Sequence, residues 1–357
     1  MTAAARSTGA TAVLRHKGFV LPPDHGLFGN CHASTLVRLS NGTFLVAYFG
    51  GLREGEGDVA IWLSRGDGSV WQPPRRLMAE EGLAHWNPVL FVDGDAVHLF
   101  YKVGPTVHDW ITRWSTSMDG GLTWSAPVPL VPGDGTPRGP VKNKLVRLSS
   151  GEWLAPGSVE TPEVWDAFAD LSADGGMSWT RYDVPFDHRP PMAGQGTEVW
   201  SGLAAAALWE TDPATVFKWD GVIQPTAWED EAGVHMLMRS TRGSVYRTDS
   251  TDLGRTWSVA YATPLPNNNS GIDLVRTARG ILALVCNPVA GNWGRRYPIS
   301  LALSSDGGET WRTELDFETE EGEFSYPAVI EVDGILHVTY TWNRKTIVHA
   351  VVELLNC

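Results

Sequence analysis

Apolar residues in this chain come in short alternating runs, and each of six runs follows a cluster of polar or aromatic side chains. The six starts are Cys31-His32-Ala33-Ser34-Thr35-Leu36-Val37, His85-Trp86-Asn87-Pro88-Val89-Leu90-Phe91, Lys142-Asn143-Lys144-Leu145-Val146, Ile223-Gln224-Pro225-Thr226-Ala227-Trp228, Asn269-Ser270-Gly271-Ile272-Asp273-Leu274-Val275 and Phe324-Ser325-Tyr326-Pro327-Ala328-Val329-Ile330. Turn residues such as Ser40-Asn41-Gly42, Asp93-Gly94-Asp95, Ser149-Ser150-Gly151 and Asp333-Gly334 follow, and then another apolar strand. Most starts fall roughly 50 residues apart, the length of a four-stranded unit. The excess in the third interval lies between Trp179 and Ile223, where Ala204 to Ala207 suits a short helix and the rest a surface loop walling a binding face. No long stretch keeps a helical period, so the fold is expected to be nearly all β.

Composition supports many short strands joined by tight turns: 17 tryptophans, 38 glycines and 23 prolines in 357 residues. A repeat running through most of the chain argues for one domain, 1–357, rather than two. The formal charge of −13 argues against nucleic acid or an acidic membrane as partner. Three cysteines, Cys31, Cys286 and Cys357, imply neither a disulfide framework nor a zinc site, and no metal or cofactor constellation is present in the sequence. The N-terminus as given lacks the apolar core of a signal peptide, so the expectation is cytoplasmic, or secreted if a leader has been removed.

A second repeat specifies the turns. Ser117 to Trp124 (SMDGGLTW), Ser172 to Trp179 (SADGGMSW), Ser250 to Trp257 (STDLGRTW) and Ser304 to Trp311 (SSDGGETW) share one spacing, with a looser copy from Ser64 to Trp71 (SRGDGSVW). The Asp carboxylate can accept backbone N–H bonds within a tight turn, Gly takes the positive-φ position, and Trp buries against its own unit. In this S-x-D-x-G-x-T-W pattern the chain resembles the sialidase superfamily of Asp-box β-propellers. The resemblance implies a six-bladed propeller of four-stranded antiparallel blades, with Asp-boxes on the rim and the strand starts converging on one pocket. His32, His85, Trp86, Asn87, Lys142, Asn143, Lys144, Gln224, Asn268, Asn269, Asp273 and Tyr326 lie at or near those starts.

Sialidases hold a substrate carboxylate with three arginines, use a tyrosine activated by a glutamate as nucleophile, and use a loop aspartate as acid and base. The resemblance maps the second arginine to Arg239 and the third to Arg296, in preference to Arg295, while His32 stands where the first belongs. Tyr326 matches the nucleophile, and Gln224 replaces its glutamate, which removes the base because an amide takes no proton from a phenol near neutral pH. Asp58, in the glycine-rich segment Gly50 to Asp58 that also carries Arg53, Glu54 and Glu56, is the nearest match to the loop acid. The main expectation is therefore a sialidase-like exo-glycosidase acting on a terminal acidic sugar of an oligosaccharide. Its expected catalytic residues are Tyr326, His32, His85 and Asp58, and its expected binding residues Arg239, Arg296, Lys142, Lys144, Asn87, Gln224, Trp86 and Arg53.

Two alternatives stand beside it. A uronate lyase needs an acid, a base and cations to stabilise an enolate-like intermediate, and His32, His85, Tyr326, Lys142, Lys144, Arg239 and Arg296 meet that list. A binding propeller without catalysis would use Trp86, Trp110, Trp114 and Trp165 as sugar platforms. A thiol nucleophile at Cys31 beside His32 is disfavoured, since neighbours in a strand point to opposite faces.

Overall fold

A computed structural model describes residues 10–189 and 198–355. The alternating runs form six groups of four antiparallel strands, nearly all consecutive in the chain. The first sheet comprises Asn30–Arg38, Phe44–Gly51, Ala60–Gly66 and Arg75–Met78; the second, Ala84–Asp93, Ala96–Gly104, Ile111–Ser117 and Val128–Pro129; the third, Val146–Arg147, Trp153–Glu160, Val164–Ser172 and Thr180–Asp183. The fourth contains Asp220–Asp230, Gly233–Ser240, Ser244–Ser250 and Tyr261–Pro266; the fifth, Asp273–Arg276, Leu282–Cys286, Ile299–Ser304 and Arg312–Glu318. The sixth contains Phe324–Val332, Ile335–Trp342 and Thr346–Leu355, and its fourth strand is the N-terminal Thr11–Phe19, paired along the last strand of the chain. A short parallel pairing, Val164 with Asp220 and Trp165 with Gly221, joins the third and fourth sheets.

Neighbouring sheets are tied near their first strands. The Leu90 N–H donates to Thr35 Oγ1 (3.2 Å), the Asn143 amide to the Gln224 carbonyl (2.9 Å), the Leu274 N–H to Thr226 Oγ1 (3.1 Å) and the Val329 N–H to Asp273 (2.8 Å). Ser34 Oγ donates to Thr339 Oγ1 (3.0 Å), linking the sixth sheet back to the first. Between the second and third sheets the contact is apolar, with Val89 and Phe100 packed in one cluster with Leu145 and Trp153. This all-β arrangement fits a β-propeller.

The repeated strand starts share a backbone kink. Ala33, Asn87, Lys142, Gln224, Asn269 and Tyr326, one per sheet, all have φ between 44° and 70°. In four of the sheets the pairing register shifts at the same place. A non-glycine residue in this region costs on the order of 1–3 kcal/mol, and the proline that follows Asn87, Gln224 and Tyr326 suits a bulge, where no ladder N–H is needed. The kink re-aims the side chain at each strand start.

The Ser/Asp/Gly/Trp turns are locally closed. Asp119 accepts from the Thr123 N–H (2.8 Å) and Oγ1 (2.6 Å) and from Ser117 Oγ (2.8 Å), and Ser117 Oγ in turn accepts from the Gly121 N–H (2.7 Å). The Asp174, Asp252 and Asp306 turns repeat the pattern. Hydrogen bonds from Thr123 hold the Asp119 carboxyl far below its usual range. Trp179 and Trp257 are buried, and Trp124 and Trp311 half-buried.

Between the third and fourth sheets, 198–219 carries two short helices, Ser201–Ala205 and Pro213–Val216. Leu203, Leu208, Val216 and Trp219 bury against Trp165 and Trp293.

Candidate active site

A pocket lies where the kinked strand starts meet the 198–219 segment, lined by Glu54, Glu160, Trp165, Leu208, Trp209, Arg239, Trp293, Arg296, Tyr326 and Arg344. Tyr326 presents its hydroxyl to the Arg239 Nη1 (2.5 Å) and, more loosely, to the Gln224 amide (3.4 Å), both of which donate to the phenol oxygen. Arg239 is fixed further by Asn269 Oδ1 (2.9 Å) and Gln224 Oε1 (3.2 Å), and its guanidinium lies over the rings of Trp165 and Tyr326. The Tyr326 ring packs on Gly271, where an added Cβ would stand 3.1 Å from it.

Arg296 is 1% exposed, donates to Ser270 Oγ (2.8 Å) and leaves its Nε without a partner. Burial lowers it to about 10. A third arginine, Arg344, comes from the hairpin after Ile335–Trp342 and donates to Glu54 (2.6 Å). Glu323 stands between the two, 3.7 Å from Arg296 Nη1 and 3.4 Å from Arg344 Nε. Three buried guanidinium groups therefore gather around one tyrosine.

His32 joins this group from beneath. Its ring sits 4.0 Å from that of Tyr326, its Nδ1 is paired with Thr341 Oγ1 (2.8 Å), and its Nε2 has no partner. Burial, and then Arg344, Arg296, Lys142 and Arg239, push its pKa well below the usual value, so the ring is neutral.

Other expected site residues are committed elsewhere. His85 donates through Nδ1 to the Val59 and Leu83 carbonyls (2.9 and 3.0 Å) and accepts from the Glu80 N–H (3.1 Å), so both ring nitrogens are used in holding loops together. Trp86 is core, packed edge-on against Trp110. Asn87 is buried at its kink, outside the pocket lining. Lys142 spends its ammonium on Asn143 Oδ1 and the Ile272 and Pro327 carbonyls, and burial lowers it to about 7. Lys144 is taken by Asp273 and the Leu274 carbonyl.

Asp58 is exposed and accepts from the Leu52 N–H (2.8 Å), closing its own loop, and Glu54 enters the pocket instead. Arg53 reaches the Leu208 carbonyl (3.1 Å) and ties that loop to the 198–219 segment. Arg295 is exposed. Of the tryptophan platforms, Trp165 lines the pocket, Trp110 is core, and Trp114 stacks on Phe100. Burial drives the Cys31 thiol far upward, which leaves it inert.

Similarity to known proteins agrees with this architecture. Residues 42–338 match the BNR repeat-like domain, and the chain belongs to that family. Its fold is that of the sialidase-like members. It is similar to a protein of unknown function from Dyadobacter fermentans DSM 18053, with 13% identity over 96% of this chain and 99% of that one and a TM-score of 0.72. It is also similar to the Hadza microbial sialidase Hz136, with 17% identity over 96% and 69% of the two chains and a TM-score of 0.69. Trypanosoma rangeli sialidase in complex with sialic acid aligns at 14% identity, 97% of this chain, 59% of that one and a TM-score of 0.65. At these identities the likeness is one of fold. None of the curated proteins matches the chain.

Proposed function

We propose that the six sheets are the blades of one propeller spanning 1–357, and that its axial pocket cleaves the glycosidic bond of a terminal carboxylate-bearing sugar. The observation that carries this reading is the convergence of Arg239, Arg296 and Arg344 on Tyr326. Guanidinium groups pair with carboxylates bidentately and stay charged when buried, so a site with three of them selects an anionic substrate. Arg344 takes the place in the clamp that His32 leaves vacant. Trp165, Trp209 and Trp293 offer apolar walls for a sugar ring.

Tyr326 is the reactive centre of this reading. Arg239 and Gln224 donate to its oxygen, so negative charge developing there is stabilised by donors already in place. One observation favours a second reading, β-elimination at a uronic acid. Gln224 cannot take the phenol proton, whereas neutral His32 lies against the Tyr326 ring with Nε2 unpaired.

A panel of acidic oligosaccharides decides between them. Hydrolysis gives a saturated sugar and a new reducing end. Elimination gives a product whose conjugated double bond absorbs in the ultraviolet. Binding without either product leaves a glycan-binding propeller.

A further inference from the structure

We propose that Glu160 is the proton-transfer carboxyl of this pocket, giving its proton to the glycosidic oxygen as the bond to the sugar breaks. The inference rests on the hydrolytic reading above and supplies the acid that reading lacks. Glu160 ends the strand Trp153–Glu160, opposite Trp165, over whose ring the Arg239 guanidinium lies. It lines the pocket, is 6% exposed, and its Oε1 has no hydrogen-bond partner. A buried carboxyl oxygen without a partner costs on the order of 1–3 kcal/mol, and such a cost is met where a ligand completes the site.

The backbone at this point is held. His108 Nδ1 donates to the Glu160 carbonyl (2.5 Å), while its ring packs edge-on against Trp209 and Trp219. Burial raises the Glu160 carboxyl to about 7 against the opposing pull of Arg239, Lys102 and the nearby Ser158 hydroxyl. Both protonation states are then populated near neutrality, which suits a group that gives a proton in one step and recovers it in the next. Of the other carboxylates, Asp58 accepts from the Leu52 N–H and Glu54 from Arg344, while Glu323, whose Oε2 also has no partner, accepts from Ser325 Oγ and lies outside the pocket lining. With Glu160 protonated, the three guanidinium groups stand against the carboxylates of Glu54 and Glu323, which leaves positive charge for a substrate carboxylate.

The step balances. The Glu160 O–H bond breaks, its proton goes to the glycosidic oxygen, and the electrons of the C–O bond leave with the departing alcohol. Positive charge at the anomeric carbon faces the Tyr326 oxygen. Water then bonds to that carbon, and its proton returns to the Glu160 carboxylate.

The test uses phenyl and 4-nitrophenyl glycosides of sialic, glucuronic and galacturonic acids with the full chain. A poor leaving group needs the acid and a good one does not. Glu160→Gln should lose at least about a hundredfold in kcat/KM on the phenyl glycoside and under about tenfold on the nitrophenyl one, with Tm unchanged. Wild-type activity on the phenyl glycoside should fall as pH rises through about 7, and the variant should lack that limb. Equal losses on both substrates with the limb intact would overturn the proposal while leaving the functional reading in place. If the variant fails to fold, the wild type decides: an alkaline limb confined to the phenyl substrate supports Glu160, and identical limbs overturn it. A wild type inert on the whole panel overturns the functional reading and this proposal with it.

Discussion

The Ser/Asp/Gly/Trp turns and the strand-start kinks beside the pocket both repeat from sheet to sheet, yet the Asp119 turn and the pocket treat polar groups in opposite ways. In the Asp119 turn each carboxylate oxygen accepts, the serine hydroxyl both donates and accepts, and the two positive-φ positions are glycines. At the pocket end the positive-φ positions are Ala33, Asn87, Lys142, Gln224, Asn269 and Tyr326, and the Nε of Arg296, Nε2 of His32 and Oε1 of Glu160 are buried without partners. Strain and unmet hydrogen bonds persist where the surrounding structure over-determines them, and they gather at functional sites. The turns hold the fold together, and the pocket uses some of the stability they provide.

The largest expected effect comes from the turn side of the contrast. Trp257 is a buried aromatic packed in the core of the third and fourth sheets. Trp257→Ala should lower unfolding free energy by about 3–5 kcal/mol in urea titrations. Activity per folded molecule should not change, and a selective loss of activity would mean that the two regions are coupled.

The reverse pattern is expected at the pocket. Tyr326→Phe keeps the ring against Gly271 and His32 and removes only the hydroxyl, so it should cut kcat by at least about a hundredfold with Tm nearly unchanged. Wild-type rates in this variant would remove Tyr326 from the mechanism. Asp306→Ala tests the turns at a smaller scale. It removes the acceptor for the Thr310 N–H and Oγ1 and for Ser304 Oγ, and about 1–2 kcal/mol of stability should go with it.

These two regions also differed in how readily the sequence disclosed them. All partners of Asp119 lie between Ser117 and Thr123, so the turn is written in eight consecutive letters. The strand starts were legible for the same reason, since a polar cluster before an alternating run is local. What those starts do was less legible. Tyr326, Gln224, His32 and Arg239 meet in the structure, but His85 and Trp86, in the same phase, are drawn into loop and core contacts, and Lys142 and Lys144 are used up by neighbouring carbonyls and Asp273.

Glu160 and Arg344 escaped because they sit at other points of their sheets, and Leu208, Trp209 and Trp293 because they come from segments between strands. Glu160 ends the second strand of its sheet and Arg344 lies in a hairpin, while Glu54 was legible only as one of several acids in a glycine-rich loop. For Arg344 one signal was available. Asn343-Arg344 forms a tight turn with φ of 49° and 57°, and an arginine there is a costly choice without a function for its charge.

The smallest prediction sets a histidine paired on a strand of the fourth sheet against the one beside Tyr326. His235 pairs with Asp249 (2.5 Å) and Asp230 (3.0 Å), beside Arg247, which donates to the Gly307 carbonyl of the next turn. Burial works against its charge, but the hydrogen bonds to Asp249 and Asp230 win and raise its pKa. A raised folded pKa gives stability that is complete below the unfolded value of about 6.5 and is lost as pH rises through the folded value. His32 has the opposite sign: its pKa is lowered, so its folded state is fully favoured above about 6.5 and loses ground as pH falls, because the unfolded ring binds a proton that the buried ring refuses. Because Lys142 and Glu160 also change protonation near pH 7, each histidine's slope is read as the difference between wild type and variant in urea unfolding across about pH 5.5 to 8.5, and is at most about 1.4 kcal/mol per pH unit. His235→Asn should remove an alkaline decline and His32→Asn an acid one; slopes of the same sign would mean that the two histidines do not follow the contrast between satisfied framework and strained pocket.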